Sequence, residues 1–560
     1  MESNPSRREL LGFLASLIGV PALSACASID LPQAPLRGSL IDIHCHVFNA
    51  SDLPVTRFIR YAFLHDYPEQ SEPRFRQVED PDFIDGLLQL LEAIVIGHAP
   101  TAEEEIAVLD GIAAAEAAAA TDQAAGEHAI ARTAEFLRDE DRAQPSLRRA
   151  ISGRAKVKAE ILRAAGQDER ALRAGPLNAN EAQDAARRAY SSFEDIGVYL
   201  RWFALFRRYR YSLVDQLAAR HQQVGFRPLL ITPAMIDFSS WVQEKTDSSL
   251  RSQMEVMGRI ARRRSGPPVH GYMAYDPLRE VYFRHRSREP ESPLSLVREA
   301  LTAHGFIGVK LYPPMGFKPY GNAKQTYPKE VVDRVGPTIS TDLNRALADL
   351  YDLCVELDAP VLAHAAETNG IEKEYARRAD PAYWLEVFRR WPSLRVCLAH
   401  FGRFSYISAA RPAGSQLPES SWEWTIGRFL KSRPDAPVFA DMSYYSEIIN
   451  AEPTIRAFYA GRLKQFVREF DPDVLHLMFG TDWVMLGRVR TSETYTQQVV
   501  QFLEQDCGFD SGRVERILSG NAGRFLGLRD TDGTRRRLLA FYNSNGISAG
   551  RLPRFETISS

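Results

Sequence analysis

The 560-residue sequence lacks an excess of either charge: 69 Lys and Arg stand against 71 Asp and Glu, a formal net charge of -2. A nucleic-acid binder would carry a basic face, so that class of partner is not expected. Cysteine is scarce, with five residues spread from Cys26 to Cys507. Cys45, Cys354, Cys397 and Cys507 lie in or beside apolar runs, which reads as buried thiols and not as a disulfide framework. There is no glycine loop of the Walker or dinucleotide-binding kind to cradle a nucleotide phosphate. Beyond the N-terminal segment no apolar run is long enough to cross a bilayer. No repeat period is visible. The remainder, 45% hydrophobic and 25% charged, suits a globular protein with a substantial core.

Residues 1–26 read as an export signal and not as part of the fold. Arg7-Arg8 precedes an apolar run from Leu10 to Ala25, which stops at Leu23-Ser24-Ala25-Cys26. A charged start, a short apolar stretch and small residues are the marks of a secretory signal. The arginine pair resembles the twin-arginine export signal, and the last four residues resemble a lipoprotein processing box. A buried amphipathic helix is the plainer alternative, but the apolar run is uninterrupted. The expectation is export to the periplasmic or envelope side, with membrane attachment only through lipid on Cys26. Residues 27–39, with Pro32, Pro35 and Gly38, read as a tether.

The next stretch organises the chain. In Leu40-Ile-Asp-Ile-His-Cys-His-Val-Phe48, Asp42, His44 and His46 share one parity while Ile41, Ile43, Cys45 and Val47 share the other. Side chains on a strand alternate with period two, so one face carries two imidazoles and the other is apolar. Two imidazoles two residues apart can reach one metal ion from the end of a strand. Alone, the pattern fits a strand that happens to carry two histidines equally well. Residues 80–224 then read as a helical insertion after this strand, rich in alanine from Ala113 to Ala120 and in aromatics from Trp202 to Tyr211. The aromatic stripe reads as packing.

After Gly225 short apolar runs alternate with helical segments. Strands are expected at Arg227–Met235, Val269–Asp276, Gly305–Tyr312, Ala359–Ala365, Arg395–Phe401, Val438–Ser443 and Leu475–Asp482. With the first, these are eight strands buried on both faces, which predicts an α/β fold, a (β/α)8 TIM barrel spanning residues 40–530. From His364 onward, successive strand ends lie roughly 40 residues apart, enough for one strand, one helix and two loops. Residues 531–560 read as a C-terminal tail laid over the barrel or disordered.

Polar residues fall at the carboxyl ends of these strands, where barrel enzymes keep their chemistry. In order they are His44 and His46, Lys310, His364, His400 and Asp482. This order resembles the amidohydrolase superfamily. Ile41-Asp-Ile-His-Cys-His46, Gly308-Val-Lys-Leu-Tyr-Pro-Pro314, Ala399-His-Phe-Gly402 and Phe479-Gly-Thr-Asp-Trp483 resemble its amidohydrolase-related branch. So does the closing Gly520-Asn-Ala522 followed by Phe525-Leu-Gly-Leu528. That branch includes 2-pyrone-4,6-dicarboxylate lactonase and aminocarboxymuconate-semialdehyde decarboxylase. The resemblance implies a metal-dependent hydrolase in which activated water cleaves an amide, ester or lactone bond of a small molecule.

His44, His46, His364 and Asp482 are the expected ligands of a divalent ion, with zinc expected. Asp482 and His400 are the expected catalytic pair. Lys310 divides two arrangements: one ion with an unmodified lysine, the arrangement usual in this branch, or two ions bridged by a carboxylated lysine. Lys310, Tyr312, Arg403 and Trp483 are candidate substrate contacts, Arg403 for an anionic group held bidentately. Two other readings stand beside hydrolysis: a metal-dependent decarboxylase of an unsaturated carboxylic acid, and a non-catalytic envelope lipoprotein that binds a ligand. His65, His98, His128, His221, His285 and His304 are expected to have no site role. His270 and His476 are expected at strand ends away from the site.

Overall fold

The structure is a computed structural model that describes residues 35–54, 99–110, 202, 205–287, 289–366, 368, 372–402 and 419–555. The signal segment, most of the insertion and Arg403 lie outside the described residues.

Among the described residues eight parallel strands form in chain order: β1 (Gly38–Cys45), β2 (Phe226–Pro233), β3 (Tyr272–Ala274), β4 (Gly308–Leu311), β5 (Val361–His364), β6 (Val396–Ala399), β7 (Val438–Asp441) and β8 (Leu477–Met478). Strands β3 to β8 pair consecutively, and β1 pairs with β2. Parallel bridges Ile231–Val269 and Ala234–Tyr272 join β2 to β3. Hydrogen bonds from Ile43 N to Phe479 O (3.4 Å) and from Asp482 N to His44 O (2.7 Å) join β1 to the end of β8. The sheet is therefore closed, a (β/α)8 barrel. Continuous apolar strands are what this geometry demands, because each is covered by helices outside and by its neighbours within. The β1–β2 register shifts twice, between Leu40 and Ile41 and between Asp42 and Cys45, so the His-x-His stretch is irregular.

Several helices begin on side-chain caps. Ser292 accepts from Ser295 N at the start of Pro293–Ala303, and Ser421 accepts from Trp424 N at the start of Trp422–Ser432. Of the insertion, a helix over Ala102–Asp110 and the end that becomes the helix Arg210–Gln223 are described. Buried Arg210 ties these parts together: its Nη1 donates to Glu105 Oε2 (2.8 Å) and its Nε to Asp52 Oδ2 (2.8 Å) in the loop after β1.

The expected tail carries a helix of its own, Gly533–Ser544, which buries Leu538, Phe541 and Tyr542. Phe541 fills the place that a side chain on Gly305 would need, and Gly305 has φ +71. Arg537 donates to the carbonyls of Leu357, Leu301, Phe306 and Ile307 at 2.8–3.1 Å. These carbonyls precede β4 and β5, so the segment covers the amino end of the barrel. Among the described residues the four cysteines, Cys45, Cys354, Cys397 and Cys507, are free and buried, as expected.

Candidate metal centre

Three side chains converge where β1 and β8 end. His46 Nε2 lies 3.2 Å and His44 Nε2 3.5 Å from Asp482 Oδ1. The other nitrogen of each ring is taken. His46 Nδ1 is 2.7 Å from Ala234 O, while His44 Nδ1 is 3.1 Å from Asp441 Oδ2 and 2.9 Å from Ser443 Oγ. An Nδ1–H donated to a carbonyl or carboxylate leaves the Nε2 lone pair bare, the arrangement that metal-binding histidines use. Lys310 on β4 brings its Nζ within 3.0 Å of His44 Nε2.

A second layer links β6 and β7. Ser443 Oγ donates to Asp441 Oδ1 and lies 3.0 Å from His400 Nδ1. Asp441 Oδ1 also accepts from His400 N (3.0 Å). His400 Nε2 then faces His364 Nδ1 at 3.1 Å. His364 thus reaches the centre through His400, and its own Nε2 is buried without a hydrogen-bond partner. Among the described residues two donor sets lie within 4.8 Å of one another: His44, His46 and Asp482, and His44, His400 and Asp441. The donor chemistry fits a divalent ion, with two imidazole nitrogens 3.5 Å and 3.2 Å from one carboxylate oxygen.

The electrostatics keep these groups in the states that an ion requires. Burial drives the His44 imidazole down to about 3, helped by Lys310 and opposed by Asp441. Burial likewise lowers His400 and His364. Lys310 falls to about 8, because burial outweighs the attraction of Asp482 and Asp441. Burial alone would raise the Asp482 carboxyl, but the His46 hydrogen bond and the His400 and His44 charges hold it below the usual range. Asp441 is held down in the same way by His44 and His400. Neutral imidazoles beside ionised carboxylates are ligands ready for a cation.

Backbone geometry re-aims the two strand ends. His400 (φ 64) and Asp482 (φ 57) both take the left-handed conformation, which L-residues seldom hold unless their surroundings fix it.

Of the expected substrate contacts, the Tyr312 ring lies 4.5 Å from that of His364, and Arg403 is outside the described residues. Trp483 is buried under Arg220, whose guanidinium stands 4.1 Å from the ring. Sequence reasoning assigned no role to Asp441 or Ser443. Asp441 ends β7, and that position at a strand's carboxyl end was the available signal. His221, expected to have no role, is buried 3.3 Å from Asp42 Oδ2. His476 and His270 bond to backbone carbonyls away from the centre, Val438 O at 2.8 Å and Gly305 O at 2.7 Å.

The closed parallel barrel and a histidine–carboxylate centre at its carboxyl end define the class, a barrel with a metal-binding mouth. Residues 286–528, a little under half of the chain, match the family model described as amidohydrolase. No curated protein matches. Among solved structures, the chain is similar to a proposed 2-pyrone-4,6-dicarboxylic acid hydrolase from Pseudomonas putida, at 14% identity and a TM-score of 0.34, over 56% of this chain and 87% of that one. It is also similar to an amidohydrolase from Burkholderia multivorans with bound HEPES, at 13% identity and a TM-score of 0.38, over 59% and 91%. A third is an uncharacterized TIM-barrel protein from Bordetella bronchiseptica, at 18% identity and a TM-score of 0.26, over 56% and 91%.

Proposed function

We propose that the protein hydrolyses an amide, ester or lactone bond of a small molecule, with zinc held by His44, His46 and Asp482; His364, expected as a fourth ligand, falls in neither donor set and faces His400 instead. One observation carries the reading: two imidazoles with occupied Nδ1 atoms turn their Nε2 atoms toward one ionised carboxylate. A divalent ion held there supplies Lewis acidity for a carbonyl and brings water towards a pKa of ~7. The chain's own groups do the rest. Asp482, kept ionised in a buried place, accepts the proton of the attacking water. His400, fixed through Nδ1 on Ser443 and facing His364 through Nε2, would offer that Nε2 lone pair to a hydrogen of the attacking water. Lys310, whose Nζ lies 3.0 Å from His44 Nε2, would turn to a substrate oxygen as a cationic donor once an ion takes that nitrogen, and we take it as unmodified beside a single ion.

The test is turnover by zinc-loaded protein on a panel of esters, lactones and amides, with carbon dioxide release followed on unsaturated carboxylic acids. Hydrolysis that falls by about 10²–10⁴-fold in His46→Ala and in Asp482→Asn supports the reading. Carbon dioxide release without hydrolysis replaces it with a decarboxylase, and ligand binding without turnover with a binding module. The proposal extends to location: export through the Arg7-Arg8 signal, and lipid on Cys26 as the only hold on the membrane. Cys26→Ala is then expected to move the protein from the membrane fraction to the soluble one in cell fractionation.

A further inference from the structure

Asp42 shares the parity of His44 and His46, yet its carboxylate takes its partners from β8 and from the helix layer. Its Oδ2 accepts from Thr481 Oγ1 (2.6 Å) and its Oδ1 from Thr481 N (3.0 Å), with His44 N at 3.4 Å. Thr481 Oγ1 in turn accepts from Trp483 N at 3.1 Å. One buried carboxylate therefore grips the residues on both sides of Asp482, the residue whose backbone is left-handed, and the backbone of His44 as well. Across the seam, Asp482 N and Thr481 N both reach His44 O, at 2.7 Å and 3.1 Å. Behind Asp42 stands His221, on the helix Arg210–Gln223 that ends the insertion. Its Nε2 is 3.3 Å from Asp42 Oδ2, and its Nδ1 is 3.0 Å from Thr496 Oγ1 on the helix Tyr495–Gln501. Asp42, His221, Thr481 and Thr496 are all buried.

From this arrangement we infer that Asp42 is a positioning residue for the metal centre. It locks the ends of β1 and β8 at the spacing that brings His44 and Asp482 onto one ion, and the His221 ring stands beside it at 3.3 Å without a hydrogen bond to it. The inference rests on the metal-centre reading above. Its logic is that of groups behind metal ligands, whose loss costs about 10–100-fold in metal affinity.

The experiment titrates full-length protein with Co2+, read by the ion's visible absorption and by competition with a chelator, beside thermal unfolding. Asp42→Asn and Thr481→Val are expected to weaken Co2+ binding about 10–100-fold and to alter the absorption band. Thr481→Ser, which keeps the hydroxyl, is expected to restore both, and His221→Gln to shift them less in the same direction. Thr481→Val decides where Asp42→Asn does not fold. A Thr481→Val protein with the affinity and band of the unmutated chain, whether or not its unfolding temperature falls, overturns the inference. Absence of Co2+ binding by the unmutated chain overturns the metal reading and this inference together.

Discussion

At Gly480 the barrel leaves no room for a side chain. A Cβ there would stand 2.9 Å from the Cβ of His44 and 3.2 Å from that of Ser443. Neither neighbour can give way without cost, because His44 and Ser443 are bonded to each other and both hold Asp441. Gly480→Ala is therefore expected to move His44 off its line to Asp482. Overpacking of this kind costs ~1–3 kcal/mol, measurable by chemical denaturation, and metal stoichiometry should fall in the same variant. A variant with full stability and a full complement of metal would show that the contact relaxes freely. The same crowding shows what was legible at this scale. His44, His46 and Asp482 could be read because a two-residue spacing and a strand end are local patterns. Asp441 could not be matched to His44, which lies 397 residues away, because no periodicity links a ligand to the carboxylate behind it. His221 was passed over for the same reason.

Among the elements, the join between insertion and barrel depends on one cation. Arg210 is 1% exposed and Glu105 0%, and the arginine also pairs with Asp52 in the loop after β1. Burial pushes the Glu105 carboxyl up even though Arg210 and the Arg210 and Tyr211 amides pull it down. Arg210→Met would leave two buried carboxylates without their cation, a loss of ~3–5 kcal/mol. Urea denaturation should show it, and adding Glu105→Gln to the variant should return part of the stability. An unchanged unfolding midpoint in Arg210→Met would contradict the clamp. The alanine-rich stretch that suggested a helical insertion lies outside the described residues, and this clamp was not readable from the sequence. It joins three separated segments through charges that look, in sequence, like solvated surface residues.

On the scale of the whole molecule, the order of eight strands was legible because each carries its own apolar run, and closure follows from their number. A tail over the barrel was one of two readings of the C-terminal residues, but its helix was not legible, because Arg529 to Ser560 looks polar when its Leu538, Phe541 and Tyr542 are not seen on one face. That cover gives the protein a pH dependence separate from its metal centre. His270, at the amino end, is buried between Gly305 O (2.7 Å) and the Tyr542 hydroxyl (2.9 Å) of the C-terminal helix. Burial lowers its imidazole from 6.5 to about 4, against the raising effect of the Gly305 carbonyl. Above pH 6.5 the ring is neutral in both the folded and the unfolded chain, so it makes no difference to stability. Between 6.5 and about 4 the unfolded chain binds a proton that the folded chain refuses, and stability falls as the pH falls. Over that window the loss reaches ~3 kcal/mol, and it levels off once the folded state also protonates. His270→Gln cannot take up the proton. Its unfolding free energy, lower at pH 7.5 for the lost contacts, is expected to decline less between pH 6.5 and 4.5 than that of the unmutated chain. Parallel declines in the two proteins would place the acid sensitivity elsewhere.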